Sequence, residues 1–180
     1  MNNVEWTPEW LAETIKLLRT HGSDTQFIEV KKAHGGYPGS LDATLSSFSN
    51  SSTGGIIICG LDENNDFAPV GVYDPADLEK TLGNKLRRGL KPPNTMESGT
   101  ILYEDAKIFV AAVPPLPPYE RPAYIGGKAY VRSGDGDHEM SRHETDLMVA
   151  QRTRTGFDEE PVEYTLSLIH ISEPTRPLYI

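Results

Sequence analysis

Residues 54–62 read GGIIICGLD, an apolar run enclosed by glycines. A short apolar run between glycine turns is typical of a buried strand, so we predict a strand at residues 56–59 in the interior of the fold. The polar sequence NSST at residues 50–53 ends a helix that starts at Ser40 or Asp42 and carries Leu45 and Phe48 inward. The strand and this helix form the predicted centre of the domain.

The elements on either side have clear local signals. Thr7 as cap, Pro8 at the first helical position and a glycine after residue 21 predict a first helix. Asp74 and Pro75 begin a helix whose leucines recur at helical spacing as far as Leu90. Further predicted elements are a strand at 26–32, hairpins at 100–113 and 123–132, the second turning at residues 126–127, and a helix at 141–152. This order predicts a single α+β (mixed α/β) domain, with a largely antiparallel or mixed sheet of hairpins flanked by helices.

Composition limits the class of protein. The chain has 180 residues, with 17 Lys and Arg against 26 Asp and Glu and a net charge of -9. Its apolar runs are far shorter than the ~20 residues of a membrane span, and its polar N-terminus has no signal-peptide pattern. The single cysteine, Cys59, suits a reducing compartment and predicts an inert core thiol. We expect a cytoplasmic protein with no membrane partner.

The C-terminal stretch LSLIHISEPTRP, residues 166–177, resembles the translation of a transposase sequencing adapter. We therefore expect residues 1–155 to form the domain and residues 156–165 to be a linker toward a missing C-terminal region. Residues 166–180 are expected to be foreign to the native protein and are excluded from the fold prediction.

Two familiar motifs are absent or altered. No G-x-x-x-x-G-K-[ST] sequence occurs, so no ordinary P-loop is predicted. The sequence HEMSRH is similar to a zinc-protease motif but spaces His138 and His143 five residues apart, not four. On a helix this turns the second imidazole ~100° from the required face, so we interpret both histidines as surface residues.

Basic residues are concentrated between positions 80 and 91, where five cations occur without an acid: Lys80, Lys85, Arg87, Arg88 and Lys91. Such a cluster can be a solvated helix face or a contact for phosphate groups, and the sequence leaves the two equally open. The acidic balance of the whole chain argues against extensive contact with nucleic acid, because each neutralised phosphate needs a cation.

Three carboxylates lie near predicted strand ends. Asp24 and Glu29 flank the start of the first strand, and Asp62 follows the strand at 56–59. If these two strand ends lie side by side, the three acids could bind one Mg²⁺ or Mn²⁺ ion. Such an ion can stabilise the transition state of phosphodiester cleavage. Spacing alone makes this a weak signal.

Several motifs together resemble the Schlafen AlbA-type domain. They are FIEVK at 27–31, SFSN at 47–50, GGIIICGLD at 54–62, VGV at 70–72 and RPAYIGGKAYVRSG at 121–134. The similarity extends over roughly residues 10–150. It implies a mixed α/β domain associated with nucleic acid, found at the N-terminus of bacterial proteins described as transcriptional regulators or ATP-binding proteins.

The same resemblance implies a second function. In animal Schlafen proteins three acids form a metal-dependent RNase site, and the matching positions here are Asp24, Glu29 and Asp62, with Lys31 beside them to offset phosphate charge. Two departures weaken the match: the first acid is Asp where Glu is usual, and the loop at residues 50–54 is one residue longer.

The remaining candidates each have a structural alternative. Exposed amides near Asn50, Gly54 and Gly55 can bind a phosphate, or the glycines can serve close packing. Arg132 can contact phosphate or pair with a nearby acid.

The sequence thus predicts a nucleic-acid-binding domain, for RNA or DNA, in a truncated regulator. Lys31, Lys85, Arg87, Arg88 and Arg132 are its expected phosphate contacts, and a homodimer is one expected assembly. The alternatives are a metal-dependent endoribonuclease and a scaffold or dimerisation module without a ligand.

Overall fold

The predicted strand at residues 56–59 lies inside a four-stranded sheet with helices on both faces. The computed structural model describes residues 6–134 and 136–158, with side chains through residue 152. The helices are α1 (Pro8–His21), α2 (Leu41–Asn50), α3 (Pro75–Asn84) and α4 (Arg142–Asp158). The strands are β1 (Ile28–Lys31), β2 (Gly55–Cys59), β3 (Leu61–Asp62), β4 (Ala68–Pro69), β5 (Leu90–Lys91), β6 (Glu97–Tyr103), β7 (Ala106–Val113), β8 (Tyr124–Ile125), β9 (Lys128–Ser133) and β10 (Gly136–Glu139). The α+β prediction is confirmed.

The central sheet has the order β1-β2-β7-β6. β1 is parallel to β2, and the other two pairings are antiparallel. Successive side chains of β2 point to opposite faces. Ile58 joins the cluster formed with α1, whereas Ile57 joins the cluster formed with α2 and α3. The uninterrupted apolar run of β2 is therefore explained by burial on both sides.

Local signals placed α1 correctly. The Thr7 hydroxyl accepts a hydrogen bond from the Trp10 amide at 3.2 Å, and Gly22 ends the helix in the left-handed conformation. Leu11 and Leu18 face the sheet and are fully buried. Both predicted hairpins are also present, as β6–β7 and β8–β9.

The predicted helix from Pro75 to Leu90 is shorter in the structure. α3 ends at Asn84, and Lys85–Gly89 forms a π-helical turn closed by the Leu90 amide donating to the Lys85 carbonyl. Leu90 then pairs with Ile125 as part of β5. The strand pairing outweighs the helical spacing of the leucines, and Leu90 still reaches the core.

The short strands β3, β4 and β10 were not predicted. β10 pairs with β9 and extends a second sheet of order β10-β9-β8-β5. Strand β1 begins at Ile28, two residues later than predicted, because Thr25 forms a bridge with Ile28.

The ends of the chain bear on the predicted domain limits. α4 extends through Asp158, into the segment predicted to be a linker. The rest of that segment and the adapter-like residues 166–180 lie outside the described residues. No helix in the described part of the chain is long and apolar enough to cross a bilayer.

Candidate nucleic-acid interface

Arg132 is the centre of a buried polar cluster at the outer edge of β1. Its side chain is 2% exposed, and its Nη1 lies 2.6 Å from Glu29 Oε2. The guanidinium also donates to the carbonyl of Thr25 from Nε at 3.1 Å and to that of Ile28 from Nη2 at 3.3 Å. Arg132 is thus held by three partners on a segment more than 100 residues away in the chain.

Two aspartates complete this cluster. Asp137 on β10 lies 3.2 Å from Arg132 Nη1, and Asp24 lies 4.0 Å from Nη2. Asp24 Oδ1 accepts the Val30 amide at 3.2 Å, while Asp137 accepts hydroxyl bonds from α2. These contacts satisfy the backbone of β1 on the side away from β2 and join β1, β9, β10 and α2.

Burial and charge shift the ionisation of this cluster. Burial, together with the charge of Glu29, raises the pKa of Asp24 to about 7. Burial opposes the charge of Arg132, but Glu29 and Asp137 outweigh it and raise the pKa of the guanidinium. Lys31 behaves in the same way: burial opposes its charge, but Glu29 Oε1, 2.5 Å from Nζ, raises the pKa of the ammonium. Both Lys31 and Arg132 neutralise acids of this protein.

The predicted three-carboxylate metal site is not assembled. Asp24 and Glu29 come together, but they meet around Arg132, and Asp62 pairs with Lys32 at 2.8 Å. Within the part of the chain that the structure describes, no group of three His, Cys, Asp or Glu side chains could hold a metal ion. Arg132 contacts both Asp24 and Glu29, and Asp62 is paired with Lys32, so these residues as arranged do not fit Mg²⁺ or Mn²⁺. The metal assignment of the sequence is corrected accordingly.

Asn50 is also a structural residue, contrary to the phosphate-binding prediction. It is 3% exposed. Its side-chain oxygen accepts the Ala123 amide at 2.6 Å, and its side-chain nitrogen donates to the Ala123 and Tyr130 carbonyls. The nitrogen also lies 3.4 Å from the Ser46 hydroxyl oxygen within α2. The side chain therefore connects α2 to β9 and to Ala123 just before β8, and it is buried from any ligand.

The glycines beside it serve close packing. The Gly54 amide donates to the Ser51 hydroxyl at 2.7 Å, and a Cβ on Gly54 would lie 2.3 Å from the Val113 carbonyl oxygen. A Cβ on Gly55 would lie 2.4 Å from the ring of Phe48. The amide of Gly54 is thus occupied, which corrects its assignment as a phosphate donor and supports the packing alternative for both glycines.

The basic segment of residues 80–91 is arranged differently. Lys85 is paired with Asp42 at 2.8 Å and lies over the ring of Tyr37. The other four cations are exposed and form no ion pair with any residue that the structure describes: Lys80, Arg87, Arg88 and Lys91. We call these four residues the basic patch. Four exposed cations within twelve residues of a chain of net charge -9 make this segment locally positive.

The second hairpin turn lies beside the basic patch. Lys91 pairs with Tyr124 and Leu90 with Ile125, so the turn at Gly126 and Gly127 is adjacent to the π-helical turn. Both glycines have left-handed φ angles, +58° and +81°, and a Cβ on either would meet nothing within 4 Å. An open glycine turn next to exposed cations leaves room for the backbone of a polyanion to approach.

Comparison with known proteins identifies the family. Residues 24–141 match the family model described as Schlafen, AlbA_2. The chain belongs to the Schlafen AlbA_2 family. No curated protein sequence matches this Schlafen AlbA_2 chain.

Two solved structures share the fold. The N-terminal domain of a RecG-related protein from Nitrosomonas europaea, determined by solution NMR, aligns with a TM-score of 0.56 and 23% identity, covering 73% of this chain and 94% of that one. The crystal structure of the DIP2311 protein from Corynebacterium diphtheriae aligns with a TM-score of 0.53 and 15% identity, covering 79% of this chain but 33% of that one. At these identities the likeness establishes the fold alone.

Sequence analysis of this Schlafen AlbA_2 domain missed Asp137 and the Gly126–Gly127 side of the basic patch. Asp137 belongs to an unpredicted strand, and the turn residues Ser133, Gly134 and Gly136 were the local signal that could have predicted its pairing with Arg132. The glycine pair was recognised as a turn, but only the pairing of β5 with β8 places it next to Lys91.

Proposed function

We propose that this domain binds nucleic acid through the basic patch, with the Gly126–Gly127 turn admitting the phosphate backbone. The observation that carries the proposal is the contrast between cations. Lys31, Lys85 and Arg132 are paired with acids, whereas Lys80, Arg87, Arg88 and Lys91 are exposed and unpaired within the described residues. Of the predicted phosphate contacts we therefore retain Arg87 and Arg88, and we replace the others with Lys80 and Lys91.

The chemistry favours salt-sensitive binding of a short stretch of backbone. Each cation that neutralises a phosphate releases a condensed counterion. Four such contacts give a slope of about -3 to -4 in a plot of log K against log salt concentration for duplex DNA, and a shallower slope for single strands. The net charge of -9 repels the polyanion elsewhere and confines contact to this patch.

The comparisons support nucleic acid as the partner and a place for this domain in a longer protein. The neighbour from Nitrosomonas europaea is named as related to the ATP-dependent DNA helicase RecG. We propose that the present domain is likewise the N-terminal, nucleic-acid-contacting part of a longer cytoplasmic protein, such as a transcriptional regulator whose nucleotide binding resides in another region.

Binding is tested by fluorescence anisotropy with labelled single-stranded RNA, single-stranded DNA and duplex DNA. We expect the double variant Arg87→Glu/Arg88→Glu to weaken binding by about tenfold or more and to flatten the salt dependence. The matched control is Lys16→Glu/Arg142→Glu, which makes the same change in net charge at exposed positions outside the patch. If both double variants weaken binding equally, net charge and not the patch is responsible, and the assignment is wrong.

Parallel incubations with Mn²⁺ or EDTA test the ribonuclease alternative. We expect the nucleic acid to remain intact in both. Cleavage that requires Mn²⁺ and is lost in Glu29→Gln would instead establish the enzyme. If no nucleic acid binds at low salt, the proposal fails in favour of a scaffold or dimerisation module.

A further inference from the structure

The backbone groups at the two edges of the central sheet differ in their hydrogen-bond partners. On the β1 edge, the Ile28 carbonyl accepts Arg132 and the Val30 amide donates to Asp24, so side chains take the place of a neighbouring strand. Among the residues that the structure describes, the opposite edge is β6, which pairs with β7 without interruption over seven residues. Natural proteins block open edges with proline, charged side chains, a bulge or a covering segment. Residues 97–103, ESGTILY, contain no proline and no bulge, and their one charge, Glu97, is at the first residue of the strand.

The register shows which groups of β6 face outward. The β6–β7 hairpin closes at the pair Tyr103–Ala106 with two turn residues of positive φ, which makes this a hydrogen-bonded pair. Hydrogen-bonded pairs alternate along the ladder, so Ser98, Thr100 and Leu102 direct their backbone groups away from β7. The carbonyl of Lys107, opposite Leu102, accordingly turns away from β6 and accepts the Val72 amide at 2.9 Å.

The size of the side chains along β6 suits pairing with its own copy. Gly99 and Ile101 face the interior of their own domain, against the Trp6 ring and in the core respectively, so Ser98, Thr100 and Leu102 form the face open to a partner. An antiparallel pairing with Thr100 on the two-fold axis places the small Ser98 of one strand opposite the large Leu102 of the other. Leu102, which is 64% exposed, then packs beside the partner's Ser98.

We propose that β6 pairs with β6 of a second copy of this chain, antiparallel and with Thr100 on the two-fold axis, to give a continuous eight-stranded sheet. The three outward-facing residues of each copy meet one another in this register and form about six backbone hydrogen bonds. The contact uses no residue of the basic patch, although Ser98 lines the same small pocket as Arg87. A strand edge buries less surface than the ~1,600 Å² of a standard interface, and the dimer is therefore weak and concentration-dependent.

Sedimentation velocity of the full chain over a concentration series tests the association. The wild type is expected to shift from the 19.9 kDa monomer toward twice that mass as concentration rises. Thr100→Lys places two like charges beside the axis and is expected to abolish the shift. The control Thr20→Lys, at an exposed threonine of α1, is expected to retain it. A wild type that remains monomeric at its highest soluble concentration overturns the proposal.

Cysteine cross-linking tests the register. Two Thr100 Cα atoms on the axis lie about 5.5 Å apart, within the range for a disulfide. Two Leu102 Cα atoms lie about 14 Å apart, since four residues of rise separate them along the strands. Under oxidised glutathione, Thr100→Cys is expected to form a covalent dimer and Leu102→Cys to remain monomeric. The thiol of Cys59 is buried and is expected not to react in either variant. Equal cross-linking of the two variants, or none in Thr100→Cys, contradicts the proposed pairing.

Discussion

Replacing Arg132 by methionine tests the central claim that this arginine is structural. The change preserves most of the side-chain volume but leaves Asp137 and Asp24 buried without their cation and Glu29 paired with Lys31 alone. The side chains of Arg132, Glu29 and Asp137 are 2%, 6% and 10% exposed, so water cannot compensate for the loss. Removing one partner of a buried ion pair costs about 3–5 kcal/mol.

This loss is large compared with the stability of the fold. A domain of this size unfolds with a free energy of about 5–15 kcal/mol. With a urea dependence of about 2 kcal/mol per molar, the midpoint of unfolding should fall by roughly 2 M. The loss should be smaller at pH 5 than at pH 8, because burial raises the pKa of Asp24 to about 7 and its protonated carboxyl at pH 5 needs no cation. Urea titrations followed by circular dichroism at both pH values measure each quantity.

Two further variants make the result interpretable. Arg132→Lys keeps the charge but cannot reach Thr25 and Glu29 together, so we expect an intermediate loss. Arg142→Met removes a 95% exposed arginine that is 3.9 Å from Asp146, and it should change stability by less than about 0.5 kcal/mol. If Arg132→Met costs as little as Arg142→Met, Arg132 is not the buried partner of these acids, and its assignment as a phosphate contact returns.

Three further predictions concern the buried polar cluster and the packing around α2. The pKa of Asp24 is raised from 3.8 to about 7 by burial and a neighbouring carboxylate. Its contribution to stability is therefore complete below about pH 4 and is lost as the pH rises through 7, and Asp24→Asn should reduce the change in melting temperature between pH 5 and pH 8. Asn50→Ala should lower the free energy of unfolding by about 1–3 kcal/mol, measured in urea, because it leaves buried backbone groups of the β8–β9 hairpin without partners. Gly55→Ala should cost about 1–3 kcal/mol because its Cβ meets the ring of Phe48, whereas Gly35→Ala, in open space, should be nearly neutral in the same titration; equal effects of the two alanines would contradict the packing role.

Elements with signals in neighbouring residues were predictable. Thr7, Pro8 and Gly22 delimit α1, because caps act through hydrogen bonds within three or four residues. The turn residues likewise placed both hairpins, and the ordered motifs predicted the family. The end of α3 was wrong because the spacing of Leu86 and Leu90 fits both a helix and a π-helical turn followed by a strand.

The roles of the charged residues depended on tertiary structure. The sequence determined that cations cluster at residues 80–91 and that Asp24 and Glu29 lie near a strand, but not what each of them contacts. Arg132 donates a hydrogen bond to Thr25, which is 107 residues away in the sequence. Lys85 donates one to Asp42, which is 43 residues away. Coulomb attraction and desolvation depend on distance in space and on burial, and both are set by how the strands pair. The sequence by itself therefore determined the domain and the number and order of its charges. Only the tertiary structure decided which cations are neutralised by buried acids and which are exposed without an ion pair among the described residues.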